Sequence, residues 1–180
     1  MKKLIFTLLT ALTLVVSGCK TDEPEIPGDE PEISMDNFPD PVFRNYVLRN
    51  FDTDNDGVIS TAEALEVTEI WVNGYGIKSL EGIQYFINLK ELWCPRNQLS
   101  TLDVSKNTAL ESLYCNNNQL STLDVSKTRI SGGFEGYYLL HCNMETLATL
   151  KVKTTQSIYG VTESRTPACI HPNTQIVKVY

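Results

Sequence analysis

From residue 89 onward the apolar positions fall into a rhythm of twenty-one: Leu89, Leu92, Cys94, Leu99, Leu102 and Val104 return as Leu110, Leu113, Cys115, Leu120, Leu123 and Val125. The polar positions keep the same beat, because the run from Asn97 to Lys106 is repeated residue for residue from Asn118 to Lys127. A divergent copy precedes the pair by twenty-two residues, as Val67, Ile70, Val72, Ile77 and Leu80. A later one, Leu140, Cys142, Asn143, Leu147, Leu150 and Val152, follows at an offset of twenty-seven and implies a six-residue insertion around Arg129 to Tyr138. A unit this short cannot bury its own apolar residues, so successive units must stack and both open ends need covers. Within each unit the alternation predicts a short strand that points Leu92 and Cys94 inward and Trp93 outward. Residues 154–172 lose the pattern, and Thr174 to Tyr180 reads as a closing strand.

Ahead of the repeats the period changes. Asp40-Pro41 reads as a helix cap and first helical residue, after which Phe43, Tyr46, Val47 and Phe51 recur at helical spacing. The next twelve residues, Asp52 to Glu63, match the EF-hand loop at every diagnostic position. Calcium takes six to eight oxygens. Asp52, Asp54 and Asp56 would offer carboxylates, Val58 its carbonyl, Ser60 a hydroxyl or bridging water, and Glu63 two oxygens. Gly57 permits the sharp turn, Ile59 is expected in the core, and Ser60 with Glu63 forms a capping box for the exit helix. An acidic turn that caps a helix without metal is the alternative. Dockerin modules are less similar, since they carry two such loops.

The repeat resembles the leucine-rich repeat L-x-x-L-x-L-x-x-N-x-L, with Cys94 and Cys115 in place of the third leucine. The whole arrangement is similar to leucine-rich-repeat surface lipoproteins of the internalin type. That resemblance implies an α/β solenoid with a curved parallel sheet, preceded by an EF-hand-like helical cap, and a function in adhesion or recognition. It further implies a two-rung ladder of Asn97 and Asn118, since Tyr75 and Glu145 occupy the neighbouring equivalent positions.

Outward positions on the predicted strands are Trp71, Trp93, Tyr114 and His141, one aromatic column across four strands. Glu69, Glu91, Ser112 and Leu139 flank it on one side, and Asn73, Pro95, Asn116 and Asn143 on the other. Exposed Trp and Tyr are enriched at binding hot spots, so Trp71, Trp93, Tyr114, His141, Glu69, Glu91 and Asn116 are the candidate partner-binding residues. The partner is a protein or, by ring stacking on sugar faces, a glycan. The competing explanation is that aromatic neighbours serve only the sheet, at about 0.2–1 kcal/mol per pair.

The remaining chain addresses export. Lys2-Lys3, an apolar stretch from Leu4 to Val16, and Ser17-Gly18-Cys19 have the layout of a secretory signal, too short to span a bilayer at roughly 20 residues. Val16 to Cys19 resembles a lipobox, which implies lipidation of Cys19 and a membrane anchor. Residues 20–40 hold eight acids and one base, so they carry −7, the whole formal charge of the 180-residue chain. With Pro24, Pro27 and Pro31 they read as a solvated tether, and the acids soon after Cys19 resemble the export signal of some Gram-negative lipoproteins, which implies the outer membrane and the cell surface. The expected organisation is a signal peptide over 1–18, a tether over 19–37, a helical cap over 38–68, a solenoid over 69–165 and a capping strand over 166–180.

Residues 41–180 hold fourteen acids and twelve bases without a basic run, which argues against nucleic acid. Cys94, Cys115, Cys142 and Cys169 are even in number, as a disulfide framework would be. Three of them share one inward position, where parallel side chains make the bridge dihedral hard to reach, so buried thiols are favoured over bridges and a Cys142–Cys169 link stays open. No catalytic signature emerges. Paired carboxylates at Glu69 and Glu91 would sit too close and too exposed for glycoside chemistry, so no enzymatic activity is expected.

Overall fold

In the computed structural model, residues 32–131, 140–142, 144–156 and 173–180 are described. They form a parallel β-solenoid of about three turns, with a small helical cap at its first end.

The cap is built from strand β1 (Glu32–Ile33), helix α1 (Pro41–Phe51), strand β2 (Ile59–Ser60) and helix α2 (Thr61–Glu66). The fold therefore begins earlier than expected. Residues 32–37 fall in the stretch read as tether, yet Ile33 pairs antiparallel with Ile59 and is buried, and a 3-10 turn follows over Met35–Asn37. One isoleucine among acids and prolines gives no periodic signal, and its pairing partner lies on the far side of α1.

Asp40 caps α1 as expected, its Oδ1 accepting the N–H groups of Val42 and Phe43 at 2.9 and 3.1 Å. Its Oδ2 accepts two more, from Lys78 and Ser79 at 2.7 and 3.2 Å, so one carboxylate fastens the cap to the first coil. Burial raises the pKa of Asp40, but the four N–H donors outweigh it and hold the carboxyl below its ordinary value. Phe38 completes the joint. It is fully buried, meets Phe43 edge-on at 5.8 Å and lies directly on Gly82, where an added Cβ would sit 2.2 Å from the ring. Gly82 also has φ of 103°, a conformation that disfavours any side chain.

The concave sheet has four parallel strands: β3 (Glu69–Trp71), β4 (Glu91–Trp93), β5 (Ser112–Tyr114) and β7 (Leu140–His141). Its register keeps equivalent repeat positions side by side, with Ile70, Leu92, Leu113 and Leu140 forming one buried rung. Cys94, Cys115 and Cys142 form the next and are buried too. Cys94 and Cys115 are thiols, not bridged to each other, while Cys169 lies outside the described residues.

Past the strands the asparagine ladder is present. Asn97 Oδ1 accepts the Ile77 N–H, and Asn118 Oδ1 accepts the Leu99 N–H, each at 3.0 Å. Both side chains donate to the Cys94 carbonyl, at 3.1 and 2.9 Å, which ties consecutive coils together. Farther along the third coil, away from the ladder, buried Gln156 donates to the carbonyls of Val125, Thr128 and Ile130.

A second parallel sheet lies opposite, made of β6 (Thr122–Asp124), β8 (Thr149–Lys153) and β9 (Gln175–Val179). The closing strand expected near the C-terminus is β9, and it pairs with β8 over five residues. Its inward row, Leu123, Leu150 and Ile176, continues the repeat's second leucine stripe. The insertion expected around Arg129 to Tyr138 falls mostly outside the described residues, as does the patternless stretch 157–172. The signal peptide and Cys19 lie outside them as well.

Candidate functional site

Two regions carry the chemistry: the aromatic column on the concave sheet and the acidic loop between α1 and α2. Parallel pairing places Trp71 beside Trp93, Trp93 beside Tyr114 and Tyr114 beside His141. The rings stack along this row. Trp71 and Trp93 have centroids 5.3 Å apart with 23° between planes, Trp93 and Tyr114 are 3.8 Å apart at 20°, and His141 meets Tyr114 edge-on at 5.9 Å and 84°. Face-to-face contact turns the ring faces toward one another, so what the sheet presents outward is mainly a row of ring edges.

Trp71 ends the row and is 53% exposed, with Trp93 its single ring neighbour among the described residues. Trp93, Tyr114 and His141 are half-buried. Burial lowers the His141 pKa below its ordinary value, so the column is uncharged at neutral pH. Glu69 and Glu91 sit side by side in the flanking row with Ser112 beyond, and Glu91 accepts the Trp93 Nε1–H at 3.3 Å. Asn116, half-buried at the other flank, accepts the Arg96 N–H through its carbonyl at 3.0 Å. The positions proposed from sequence for partner contact are thus gathered on one face.

Tyr46 is a contributor that helical spacing does not disclose. Its hydroxyl accepts the Trp71 N–H at 3.1 Å, covering the outer edge of β3. Its ring meets Tyr75 at 5.9 Å and Phe51 at 5.7 Å, both near perpendicular. Periodicity marks Tyr46 as apolar stripe, whereas the partner of its hydroxyl depends on how the cap docks. Tyr75, 52% exposed, extends the aromatic surface past the strand ends.

In the acidic loop Gly57 has φ of 90° and Asn55 φ of 63°, the two left-handed residues that close the turn. Oxygens of Asp52, Asp54 and Glu63 lie within 4.8 Å of one another. Asp52 Oδ1 is buried without a hydrogen-bond partner, while Oδ2 accepts the Gly57 N–H at 3.0 Å. An orphaned buried carboxylate oxygen next to two further carboxylates fits a hard divalent cation such as calcium. The other expected ligands are engaged differently. Asp56 stands outside the group of three and accepts the Val58 N–H at 2.9 Å, and the Ser60 hydroxyl belongs to the capping box with Glu63.

Both Glu63 oxygens are hydrogen-bonded, Oε1 to the Thr53 N–H and hydroxyl and Oε2 to those of Ser60. Partial burial opposes ionisation, but these four donors bring the Glu63 pKa down to about 2. Asp54 moves the other way. The Asp56 N–H lowers its pKa, yet desolvation and the charges of Asp56, Glu63 and Asp52 outweigh it. Such crowding of like charge is what a bound cation relieves.

A family model for leucine-rich repeats, two copies, matches residues 87–128. Among solved structures, the functional domain of InlJ from Listeria monocytogenes, described as including a cysteine ladder, aligns with 26% identity and a TM-score of 0.54 over 82% of this chain. An internalin C2 from the same organism aligns with 22% identity and a TM-score of 0.45 over 67%. The chain spans 28% of the first neighbour and 57% of the second. No curated protein matches at a significant level. Residues 87–128 thus match leucine-rich repeats, and the fold is similar to that of an internalin-like domain from a bacterium.

Proposed function

We propose that the chain is an exported recognition module that presents the column of Trp71, Trp93, Tyr114 and His141 to a protein partner. The observation that carries this reading is the column itself: a continuous row of rings left open on a concave sheet whose other face is fully packed. A glycan reading is less favoured by the geometry. Sugars stack on ring faces, and here the faces of Trp93 and Tyr114 are taken up by their neighbours.

Calcium is proposed as a structural cation of the cap, held by Asp52, Asp54 and Glu63, with Asp56, Val58 and Ser60 completing its shell after local rearrangement. The orphaned oxygen of Asp52 supports this. A lipid at Cys19 and the acidic stretch after it would hold the module at the outer membrane facing outward, in keeping with the signal layout of residues 1–19.

The test is capture by the immobilised full chain from an extract of surface and secreted proteins. A protein retained by wild type and by Lys151→Ala, on the second sheet, should be lost by Trp93→Ala with Tyr114→Ala. Equal capture by the double variant would overturn the reading.

A further inference from the structure

The cap-side end of the concave face has a distinct chemistry. Between the end of α1, helix α2 and the start of β3 lies a depression of about 700 Å³. Phe51, Leu65 and Val67 contribute apolar surface to it, while Glu66 and Glu69 stand among its polar walls with Glu63, whose oxygens are engaged by Thr53 and Ser60. Among the described residues, no basic side chain lines it. Glu69 is exposed, and its register partner Glu91 lies beside it on β4. Trp71 is two residues beyond Glu69 on the same face of β3, its outer side unstacked.

An apolar floor with carboxylates at its rim and an open indole alongside matches one kind of side chain: an aliphatic stem ending in a cation. The stem takes the apolar surface, the head reaches the carboxylates, and a cation beside an indole face gains further attraction. Charge excludes the nearest alternative occupant, since the chain's own residues 20–31, ahead of the cap, hold five acids and one base and are repelled from this rim.

We infer that this depression, with Glu66, Glu69 and Trp71, docks a lysine- or arginine-bearing segment of the protein partner. The inference rests on the recognition reading above and specifies the partner chemistry at one end of that face.

Two fluorescein-labelled eight-residue peptides test it, one alternating lysine with valine and the other glutamate with valine, titrated with the full chain in calcium and followed by anisotropy. The lysine peptide should bind and the glutamate peptide should not. Glu66→Gln with Glu69→Gln should weaken lysine-peptide binding about tenfold, and Trp71→Ala should weaken it as well. Circular dichroism should show both variants folded, since all three side chains are exposed. Unchanged binding by the glutamine variant would assign the attraction to the acidic segment 20–31 and overturn the inference, as would equal binding of the two peptides or binding of neither. The two proposals fail separately. Retained capture by Trp93→Ala with Tyr114→Ala removes the recognition reading, whereas lost capture there with full peptide binding by the glutamine variant removes only the basic-segment inference.

Discussion

Trp93 and Tyr114 stack with ring centroids 3.8 Å apart and only 20° between their planes, closer than any other aromatic pair among the described residues. Adjacent parallel strands are spaced by about 4.8 Å, so rings on equivalent positions meet face to face without adjusting the backbone. Aromatic pairs contribute about 0.5–1.5 kcal/mol beyond their buried area. Trp93 makes two of them, with Trp71 and Tyr114. Trp93→Ala should therefore lower stability in urea by about 1–3 kcal/mol while leaving far-ultraviolet circular dichroism unchanged. A loss near zero would mean that the stack does not hold in solution.

Asp40 gives the fold an acid-sensitive joint. Its folded pKa lies below the ordinary value, so the stability it contributes is present above about pH 4, where the unfolded carboxyl is also ionised. That contribution is lost as pH falls through the lowered value. At pH 7, Asp40→Ala should cost about 2–3 kcal/mol, from the helix cap and the stranded N–H groups of Lys78 and Ser79. The gap between wild type and variant should narrow below pH 4. A gap independent of pH would show that the charge of Asp40 plays no part.

Calcium should act on stability by mass action. With about 1 mM calcium and a dissociation constant near 0.1 mM, the expected gain is about 1.4 kcal/mol. The melting temperature should rise by about 3–6 °C. Chelator should reverse the shift, and Glu63→Gln should abolish it. A melting curve indifferent to chelator would leave the loop as a capping turn only.

The inward thiols should be inert while the chain is folded. Burial pushes the Cys94 pKa up to about 12 and that of Cys115 well above its ordinary value. An aromatic disulfide reagent at pH 8 should therefore leave both unmodified until urea unfolds the chain. Prompt labelling of Cys94 in the native protein would contradict the packing of that rung.

Much of this was legible in the sequence because the repeat states the same facts more than once. Leu92 and Leu113, or Trp93 and Tyr114, fix inward and outward positions by recurrence, and Asn97 with Asn118 announces the ladder. What escaped is what occurs only once and joins distant segments. Asp40 reads as a helix cap, but its bonds to Lys78 and Ser79 cross nearly forty residues and have no local signal. Ile33 is a lone apolar residue whose partner is Ile59. The second sheet depends on β9 returning beside β8 after a stretch without pattern. In the loop, sequence identifies the capping box of Ser60 with Glu63 and the oxygens that could serve a cation, whereas the Thr53 N–H and hydroxyl that engage the other Glu63 oxygen are a matter of geometry.

The most direct test of the recognition face is photo-crosslinking from single positions on the displayed chain. A benzophenone side chain placed at Tyr114 should join the chain to its partner, and the same group at Lys151, exposed on the second sheet, should not. Crosslinks formed from Lys151 and absent from Tyr114 would contradict the account.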